Sequence, residues 1–338
     1  MRIAGRHNAS VSINRPVSSM LKIGLISNML SQRNRAGLED LRDLVARNGN
    51  AMHAELDGIE GLSATLKDFA AKDVGVVAVN GGDGSVQATL TALFRDRPFE
   101  RTPALAVLPG GMTNTIANDI GHANDRAKAL ARVFAACGNG AVPATTERNV
   151  IRVDYRPDGG PEFGMLFGTA AIPRAIEVCH RAIHPMKLQS SAAVGATLAA
   201  MLVRMLLKRG NGDAVLYGDD MTVRVDDGAS RSGSRLIALA TTLNRIMLRS
   251  RPYWGDEPGP LHYTEIAYPA RKLMRSVYPI MYGGRDRRFP TDDYVSHNAD
   301  KVTMDMACRF MIDGEMFDPT PGVPVTLTGG DKIRFLPC

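Results

Sequence analysis

The stretch Val79-Asn80-Gly81-Gly82-Asp83-Gly84-Ser85 decides the fold. It separates an apolar segment at residues 74–79, predicted to be a buried strand, from residues 86–94, predicted to be a helix. Glycines at the end of a strand let the backbone approach a phosphate closely, and the start of the next helix offers free N–H groups to an anion. The stretch therefore predicts an α/β fold with a phosphate site at the carboxyl end of this strand.

Asp83 and Ser85 extend this prediction. A carboxylate repels phosphate unless a metal ion bridges the two, and Mg²⁺ typically binds one or two carboxylates together with nucleotide phosphates. Asp83 is therefore predicted to bind Mg²⁺ beside a nucleotide. Ser85 precedes the predicted helix, so it can cap the helix or donate to a phosphate, and the sequence leaves both roles open.

A second glycine turn follows the next predicted strand, residues 104–108. It is Pro109-Gly110-Gly111-Met112-Thr113-Asn114-Thr115, and a helical pattern begins after it. Paired glycines alone are ordinary turn residues. The repetition of strand, glycine turn and helix favours a nucleotide site built from both turns.

Three segments together resemble the signatures of the diacylglycerol kinase catalytic family, which includes bacterial lipid kinases and sphingosine kinases. They are Gly81–Ser85, Leu108–Asn114 and Asp313-Gly314-Glu315, in the family's order across residues 21–338. Gly-Gly-Asp-Gly alone is shared with NAD kinases and phosphofructokinases. The resemblance implies a lipid kinase that uses ATP and Mg²⁺, with Asp313 as general base and Glu315 as its accompanying acid.

The resemblance and the turn chemistry together give a set of expected nucleotide contacts. Arg33 and Arg35, in the loop after the first strand, are further candidates that could equally be solvated charges. The expected contacts are Asn28, Gly81, Gly82, Asp83, Gly84, Ser85, Gly110, Gly111, Met112, Thr113 and Asn114.

Several positions depart from the family pattern. Val86-Gln87 stand where the family has Asn-Glu, and Met112 and Thr115 replace a hydroxyl and a carboxylate. The family's Asp-Gly-x-Leu-Asp segment falls on residues 258–262, which contain no acid. The sequence therefore indicates a divergent member. Two alternatives stay open: a soluble kinase resembling NAD kinases, and a nucleotide- or lipid-binding protein without catalysis.

Composition limits the class of partner. The 338-residue chain is 44% hydrophobic and 22% charged, which is typical of globular proteins and long enough for two domains. Its net charge of +6 favours anionic partners, while the aromatic content of 6% and the lack of a recognised motif argue against nucleic acid. The four cysteines show no paired spacing, which indicates a reducing compartment without disulfides or structural zinc.

The pattern of elements predicts two domains after a disordered lead-in at residues 1–20. Alternating strands and helices over residues 21–147 predict a nucleotide-binding domain with a doubly wound parallel sheet. Residues 148–330 predict a β-rich, antiparallel domain with a helical insertion at 170–209. The resemblance implies that this domain is sandwich-like and binds a lipid substrate. Separate strands are predicted at 323–327 and 332–336, and the resemblance implies that residues 331–338 join the first domain.

Membrane association is predicted to be peripheral. The longest apolar stretch, residues 192–207, is shorter than the about 18–20 residues that a spanning helix needs. Basic clusters could form a membrane-facing surface or simply be solvated. These features predict a cytoplasmic protein that meets its lipid at the inner face of the membrane, and they leave a homodimer open. The clusters are Lys208-Arg209, Arg271-Lys272-Arg275, Arg285 and Arg287-Arg288.

Overall fold

The computed structural model describes residues 21–121, 125–138, 143–183, 217–284, 286–289 and 292–338. The predicted lead-in at residues 1–20 lies outside the described residues. So do Arg285, the cluster Lys208-Arg209 and most of the predicted insertion at 170–209.

The first half of the chain alternates strands and helices around a parallel sheet. Its strands lie in the order β2–β1–β3–β4, and apolar clusters occupy both faces, as a doubly wound sheet requires. The elements are β1 Lys22–Asn28, α1 Glu39–Ala46, β2 Ala51–Leu56, α2 Leu62–Ala71, β3 Val74–Gly81, α3 Asp83–Thr91, β4 Ala104–Pro109, α4 Thr115–Ile120 and α5 Arg126–Gly138.

The second half is β-rich and mainly antiparallel, as predicted. Its strands enclose an apolar core of their own, which contains Phe167, Tyr263 and Phe310. The elements are β5 Thr146–Asp154, β6 Glu162–Gly164, β7 Leu166–Ala170, α6 Ala171–Ile183, β8 Asp219–Val225, β9 Arg231–Thr241, β10 Leu261–Ala267, α7 Leu273–Tyr282, β11 Tyr294–Ala299, β12 Lys301–Met306, β13 Phe310–Ile312, β14 Glu315–Phe317 and β15 Val325–Phe335.

Strand β15 joins the two halves into one mixed sheet. It pairs antiparallel with β5 and β12, and at its end Phe335 pairs in parallel with Leu105 of β4. The prediction of two separate strands at 323–327 and 332–336 is wrong. The Gly329-Gly330 pair marks a register shift between Thr328 and Asp331, and the strand continues through it.

The hairpin of β13 and β14 carries the predicted acids. Strand β13 pairs with β7, and the rings of Phe167 and Phe310 stack between these strands with centroids 5.3 Å apart. Asp313 and Gly314 form the two-residue turn, with φ of 49° and 95°. Asp-Gly suits a hairpin turn in which both central residues have positive φ. The buried strand pair thus fixes where the turn lies.

Candidate functional site

The two predicted glycine turns pack directly against each other. The N–H of Gly110 donates to the carbonyl of Gly81 across 3.1 Å. A Cβ placed on Gly111 would overlap the Cα of Gly82, so a side chain there would push the turns apart. The adjacent strands β3 and β4 deliver both turns to the same edge of the sheet, and glycine is needed where they touch.

Asp83 connects the first turn to the helix that follows the second. Its carboxylate accepts hydrogen bonds from the Thr113 hydroxyl at 2.8 Å and from the backbone N–H groups of Thr115 and Ile116 at 2.9 and 3.1 Å. These donors belong to the start of α4, where backbone N–H groups have no partner within the helix. Asp83 therefore caps α4 from the neighbouring turn, a role that the sequence prediction did not include.

The remaining residues of the second turn stabilise it internally. The Asn114 side chain accepts from the N–H of Gly111 and donates to its carbonyl, both at 2.9 Å. Asn114 has a φ of 49°, a conformation that asparagine tolerates better than most residues. Met112 is half-buried in the same turn.

Asn28, a predicted nucleotide contact, lies beside the first glycine turn. Its amide donates to the Ser85 hydroxyl at 2.9 Å, and its side-chain oxygen accepts from the N–H of Leu30. Helix α3 begins at Asp83 after Gly82, so Ser85 lies within its first turn. Of the two roles that the sequence left open for Ser85, capping is excluded, because the helix starts before it.

The two predicted arginines differ in position. The guanidinium of Arg33 donates to the carbonyl of Pro109 at 3.2 Å, and its backbone N–H donates to Gly110. Arg33 thus lies against the second glycine turn. Arg35 is exposed within a short 3-10 helical turn.

Asp313 is buried in the turn between β13 and β14. Its carboxylate accepts from the backbone N–H groups of Met165 and Leu166, each at 2.9 Å, and its own N–H donates to Leu166. Burial raises the pKa of Asp313 well above its usual range. The Met165 N–H opposes this rise in pKa, while the negative charge of Asp83 adds to it. Asp313 and Asp83 therefore lie close enough to interact electrostatically.

Glu315 lies over the first glycine turn. A Cβ placed on Gly84 would overlap the Glu315 carboxylate, so the absence of a side chain at Gly84 makes room for this acid. The third predicted segment therefore contacts the first, although they are far apart in sequence. Two of the three predicted acids, Asp313 and Glu315, come from one hairpin turn, and Asp83 comes from the facing turn.

A cavity of about 670 Å³ opens between these elements, within the size range of small-ligand sites. Its lining includes Asn28, Gly82, Gly84, Ser85 and Glu315. Apolar and polar side chains from α2, α3 and β14, and from residues close to the ends of β1, α2 and α3, complete the wall. They include Leu30, Ser31, Ile59, Leu62, Ala88, Ala92, Met316 and Phe317.

A polar network at the cavity was missed by the sequence analysis. Glu162 is mostly buried and accepts from Gln87 at 3.3 Å, from Thr91 at 3.1 Å and from the guanidinium of Arg156. Gln87 was noted only as a replacement for the family's glutamate. The Gln87 amide can donate a hydrogen bond to the Glu162 carboxylate, whereas a glutamate at position 87 would repel it.

The segment at residues 258–262 does not supply a metal ligand set. His262 pairs with Asn298 at 2.7 Å and stacks on Tyr253 at 4.1 Å, while the neighbouring Glu257 pairs with His297 at 2.6 Å. Within the described ranges, no group of three or more His, Cys, Asp or Glu side chains is arranged to hold a metal ion.

Membrane-spanning helices are not found in the described part of the chain, where each helix is too short or too polar to cross a bilayer.

Comparisons with solved structures show the same fold in bacterial proteins. A candidate diacylglycerol kinase from Bacillus anthracis str. Sterne has a TM-score of 0.63 at 15% identity, covering 94% of this chain and 97% of that one. A second structure of a candidate diacylglycerol kinase from the same organism has a TM-score of 0.62 at 16% identity, with the same coverage of both chains. A structure of a diacylglycerol kinase from this organism gives 0.59 at 13% identity, again covering 94% and 97%. No curated protein matches the sequence.

The sequence profile of the diacylglycerol kinase catalytic domain matches residues 22–140. This range contains β1 to β4 and both glycine turns. The profile confirms the resemblance noted in the first two segments, and the solved structures show that the fold is shared over nearly the whole chain.

Proposed function

We propose that the protein is a lipid kinase that transfers the γ-phosphate of ATP, in the presence of Mg²⁺, to the hydroxyl of a diacylglycerol-like lipid. One observation carries the proposal: the hairpin turn with Asp313 and Glu315 lies against the glycine turn with Asp83 and Gly84. Phosphoryl transfer requires mainly positioning and charge neutralisation, with a carboxylate near the acceptor hydroxyl. The cavity is lined both by glycines of the first turn, Gly82 and Gly84, and by Glu315 of the hairpin.

The glycine turns would bind the nucleotide phosphates. Gly82 and Gly84 line the cavity without side chains, so phosphate oxygens can reach the backbone N–H groups at the start of α3. Asn28 and Ser85, which bond to each other, offer an amide and a hydroxyl at the same wall. Arg33 stabilises the second turn through the Pro109 carbonyl.

Asp313 would accept the proton of the lipid hydroxyl. Its two backbone donors fix the orientation of the carboxylate, and each oxygen keeps a lone pair for a further hydrogen bond. A general base is most effective when its pKa lies near the working pH, and the raised pKa of Asp313 moves it in that direction.

Asp83 and Glu315 are the carboxylates available to Mg²⁺. When bound, the ion would neutralise phosphate charge. A Mg²⁺ that binds mainly nucleotide phosphates needs only one or two protein carboxylates, which fits this short donor set. The capping bonds of Asp83 would hold its carboxylate in place beside the phosphates.

A phosphate-transfer screen tests the proposal. Purified protein is incubated with radiolabelled ATP, Mg²⁺ and one acceptor at a time: diacylglycerol, phosphatidylglycerol, a sphingoid base, ceramide or NAD. We expect label in one lipid acceptor and none with Asp313→Asn. Label in NAD would instead support the soluble-kinase alternative. ATP binding without transfer to any acceptor would support a non-catalytic binding protein.

A further inference from the structure

Helix α7 has an exposed stripe of large apolar side chains. Met274, Tyr278 and Tyr282 are 42%, 73% and 47% exposed. Their spacing of four residues places them along one face of the helix, and the two tyrosine rings lie 5.5 Å apart. Ser276 and Ile280, on the opposite face, are buried. The stripe therefore contributes nothing to the core that this helix helps to form.

A neighbouring loop extends the stripe. Met247 and Leu248 are 38% and 39% exposed. The Tyr282 hydroxyl donates to the backbone carbonyl of Leu248 at 3.4 Å. The backbone N–H of Arg251 donates to the backbone carbonyl of Met281 at 2.8 Å. These bonds hold the loop against α7. We call the combined surface of Met247, Leu248, Met274, Tyr278 and Tyr282 the aromatic face.

Cations flank the aromatic face. The side chains of Arg249, Lys272 and Arg275 are exposed, and within the described ranges none of them pairs with an acid. Two other basic residues of the predicted clusters have structural partners. Arg271 pairs with Asp293 at 3.0 Å, and Arg287 donates to backbone carbonyls around the loop.

We propose that the aromatic face and its flanking cations dock onto an anionic lipid bilayer. Tyrosine is favoured at the level of lipid headgroups, where its ring is buried and its hydroxyl stays hydrated. Lysine and arginine beside it bind anionic headgroups. The aliphatic side chains Met247, Leu248 and Met274 favour acyl chains over nucleic acid, because they offer no ring on which a base could stack. This docking surface rests on the proposed function, since it would bring the enzyme to its lipid.

The aromatic face is connected to the candidate site by a short segment. Asp313 accepts from the N–H of Met165, whose carbonyl accepts from the N–H of Thr242 at 3.0 Å. Leu248 follows Thr242 by six residues, so its Cα lies within about 20 Å of Thr242. A bilayer bound at this face would therefore lie close to the carboxylate proposed to receive the lipid hydroxyl.

Vesicle co-sedimentation tests the docking surface without relying on catalysis. Vesicles of phosphatidylglycerol and phosphatidylcholine are compared with vesicles of phosphatidylcholine alone, without diacylglycerol or nucleotide. We expect binding to the anionic vesicles only. Lys272→Glu/Arg275→Glu should lower the partition coefficient at least about tenfold, because each cation near such a surface contributes roughly a fivefold factor. Met274→Ser/Tyr278→Ser should also lower it severalfold.

Arg47→Glu/Lys67→Glu is the matched control, because it reverses the same charge at two exposed cations near α1 and α2. A similar loss of binding in this control would show that the whole positive charge attracts the vesicles and would overturn the proposal. Unchanged binding of the serine variant would overturn it as well. The proposal would also be overturned if the protein did not bind vesicles but bound polyuridylate RNA, and if Lys272→Glu/Arg275→Glu weakened that RNA binding.

Activity on a short-chain, dissolved diacylglycerol separates this inference from the proposed function. Transfer to the dissolved lipid without vesicle binding would refute the docking surface and leave the kinase activity intact. Vesicle binding that depends on the aromatic face, without transfer to any lipid, would support the docking surface and refute the kinase activity.

Discussion

The two sides of the candidate site are built in different ways. The glycine turns on the nucleotide side follow neighbouring strands β3 and β4, and both lie within the same stretch of sequence. The acid side depends on a distant hairpin, whose Asp313 is held by backbone donors of Met165 and Leu166. The first side is therefore specified locally, whereas the second requires the complete β-rich half to fold in the correct register.

This difference predicts separable effects. Changes on the nucleotide side should alter the binding of the nucleotide and local stability, because Asp83 caps α4 and is the carboxylate proposed to face the phosphates. Changes on the acid side should alter the chemical step while nucleotide binding persists.

Replacing Asp313 should have the largest effect on rate. Asp313→Asn cannot accept a proton, and loss of a general base typically costs about 10²–10⁴-fold in rate. We expect transfer to fall by this amount while the affinity for ATP, measured by calorimetry, stays nearly unchanged. Retention of more than about a tenth of the activity would exclude Asp313 as the base. Lost ATP affinity would indicate that the two sides are not separable.

The pH dependence of Asp313 is part of the same prediction. Because the pKa of Asp313 is raised, kcat/KM should rise with pH at values well above the usual carboxyl range near 4. The folded protein binds more protons at this group than the unfolded chain, so its contribution to stability is present below pH about 4 and is lost as pH rises through the raised pKa. Denaturant unfolding across pH should show this decline, and Asp313→Asn should lack it.

Leu336 tests whether the last strand supports the nucleotide side. It is 2% exposed, it packs in the core that contains Leu108 and Leu130, and its N–H donates to Leu105 at 2.7 Å. Leu336→Ala should lower the free energy of unfolding by about 2–5 kcal/mol, the usual cost of removing a buried leucine side chain. Leu248→Ala, at an exposed leucine, is the control and should change it by less than about 0.5 kcal/mol. Equal losses of stability in the two variants would show that the packing of Leu336, directly after β15, does not support the nucleotide side.

Much of the parallel half could be predicted from sequence. Both glycine turns lie where the buried strands β3 and β4 end. These elements are readable because continuous apolar segments alternate with helical patterns, and glycine marks each point of close backbone approach. Helix α3 starts earlier than predicted, because the sequence alone does not show that the strand ends at Gly81 and that Gly82 directly precedes the helix.

The β-rich half was less predictable for identifiable reasons. Strand β10 does not resemble a buried strand in sequence, because it carries Glu265, which is buried and pairs with Arg231 and the Tyr263 hydroxyl. Helix α7 does not resemble a helix in sequence, because Pro279 lies within it and proline usually ends a helix. The sequence carries no signal for the residues that donate to Asp313, because every residue except proline has a backbone N–H. The sequence could identify Asp313 through a family motif, but not what holds it.

Gly84→Ala should reduce activity by displacing Glu315. The added Cβ would overlap the Glu315 carboxylate, and because Glu315 is exposed the side chain can move away rather than unfold the protein. A small misplacement of a positioned group can cost about 10²-fold in rate. Gly330→Ala is the matched control, because a Cβ there meets nothing within 4 Å. Full activity in Gly84→Ala would show that the position of Glu315 does not matter for transfer.

Asp83→Asn should have the smallest effect on stability and a selective effect on the nucleotide. The two carboxylate oxygens of Asp83 accept three hydrogen bonds, from Thr113, Thr115 and Ile116. An asparagine side chain would have only one acceptor oxygen for these donors. Loss of a helix cap typically costs about 0.5–2 kcal/mol, which differential scanning calorimetry can resolve. The lost charge should also weaken binding of the Mg²⁺–ATP complex more than binding of metal-free ATP, because only the former benefits from a carboxylate beside the ion. Equal weakening of both would assign Asp83 a purely structural role and leave Glu315 as the acid facing the metal.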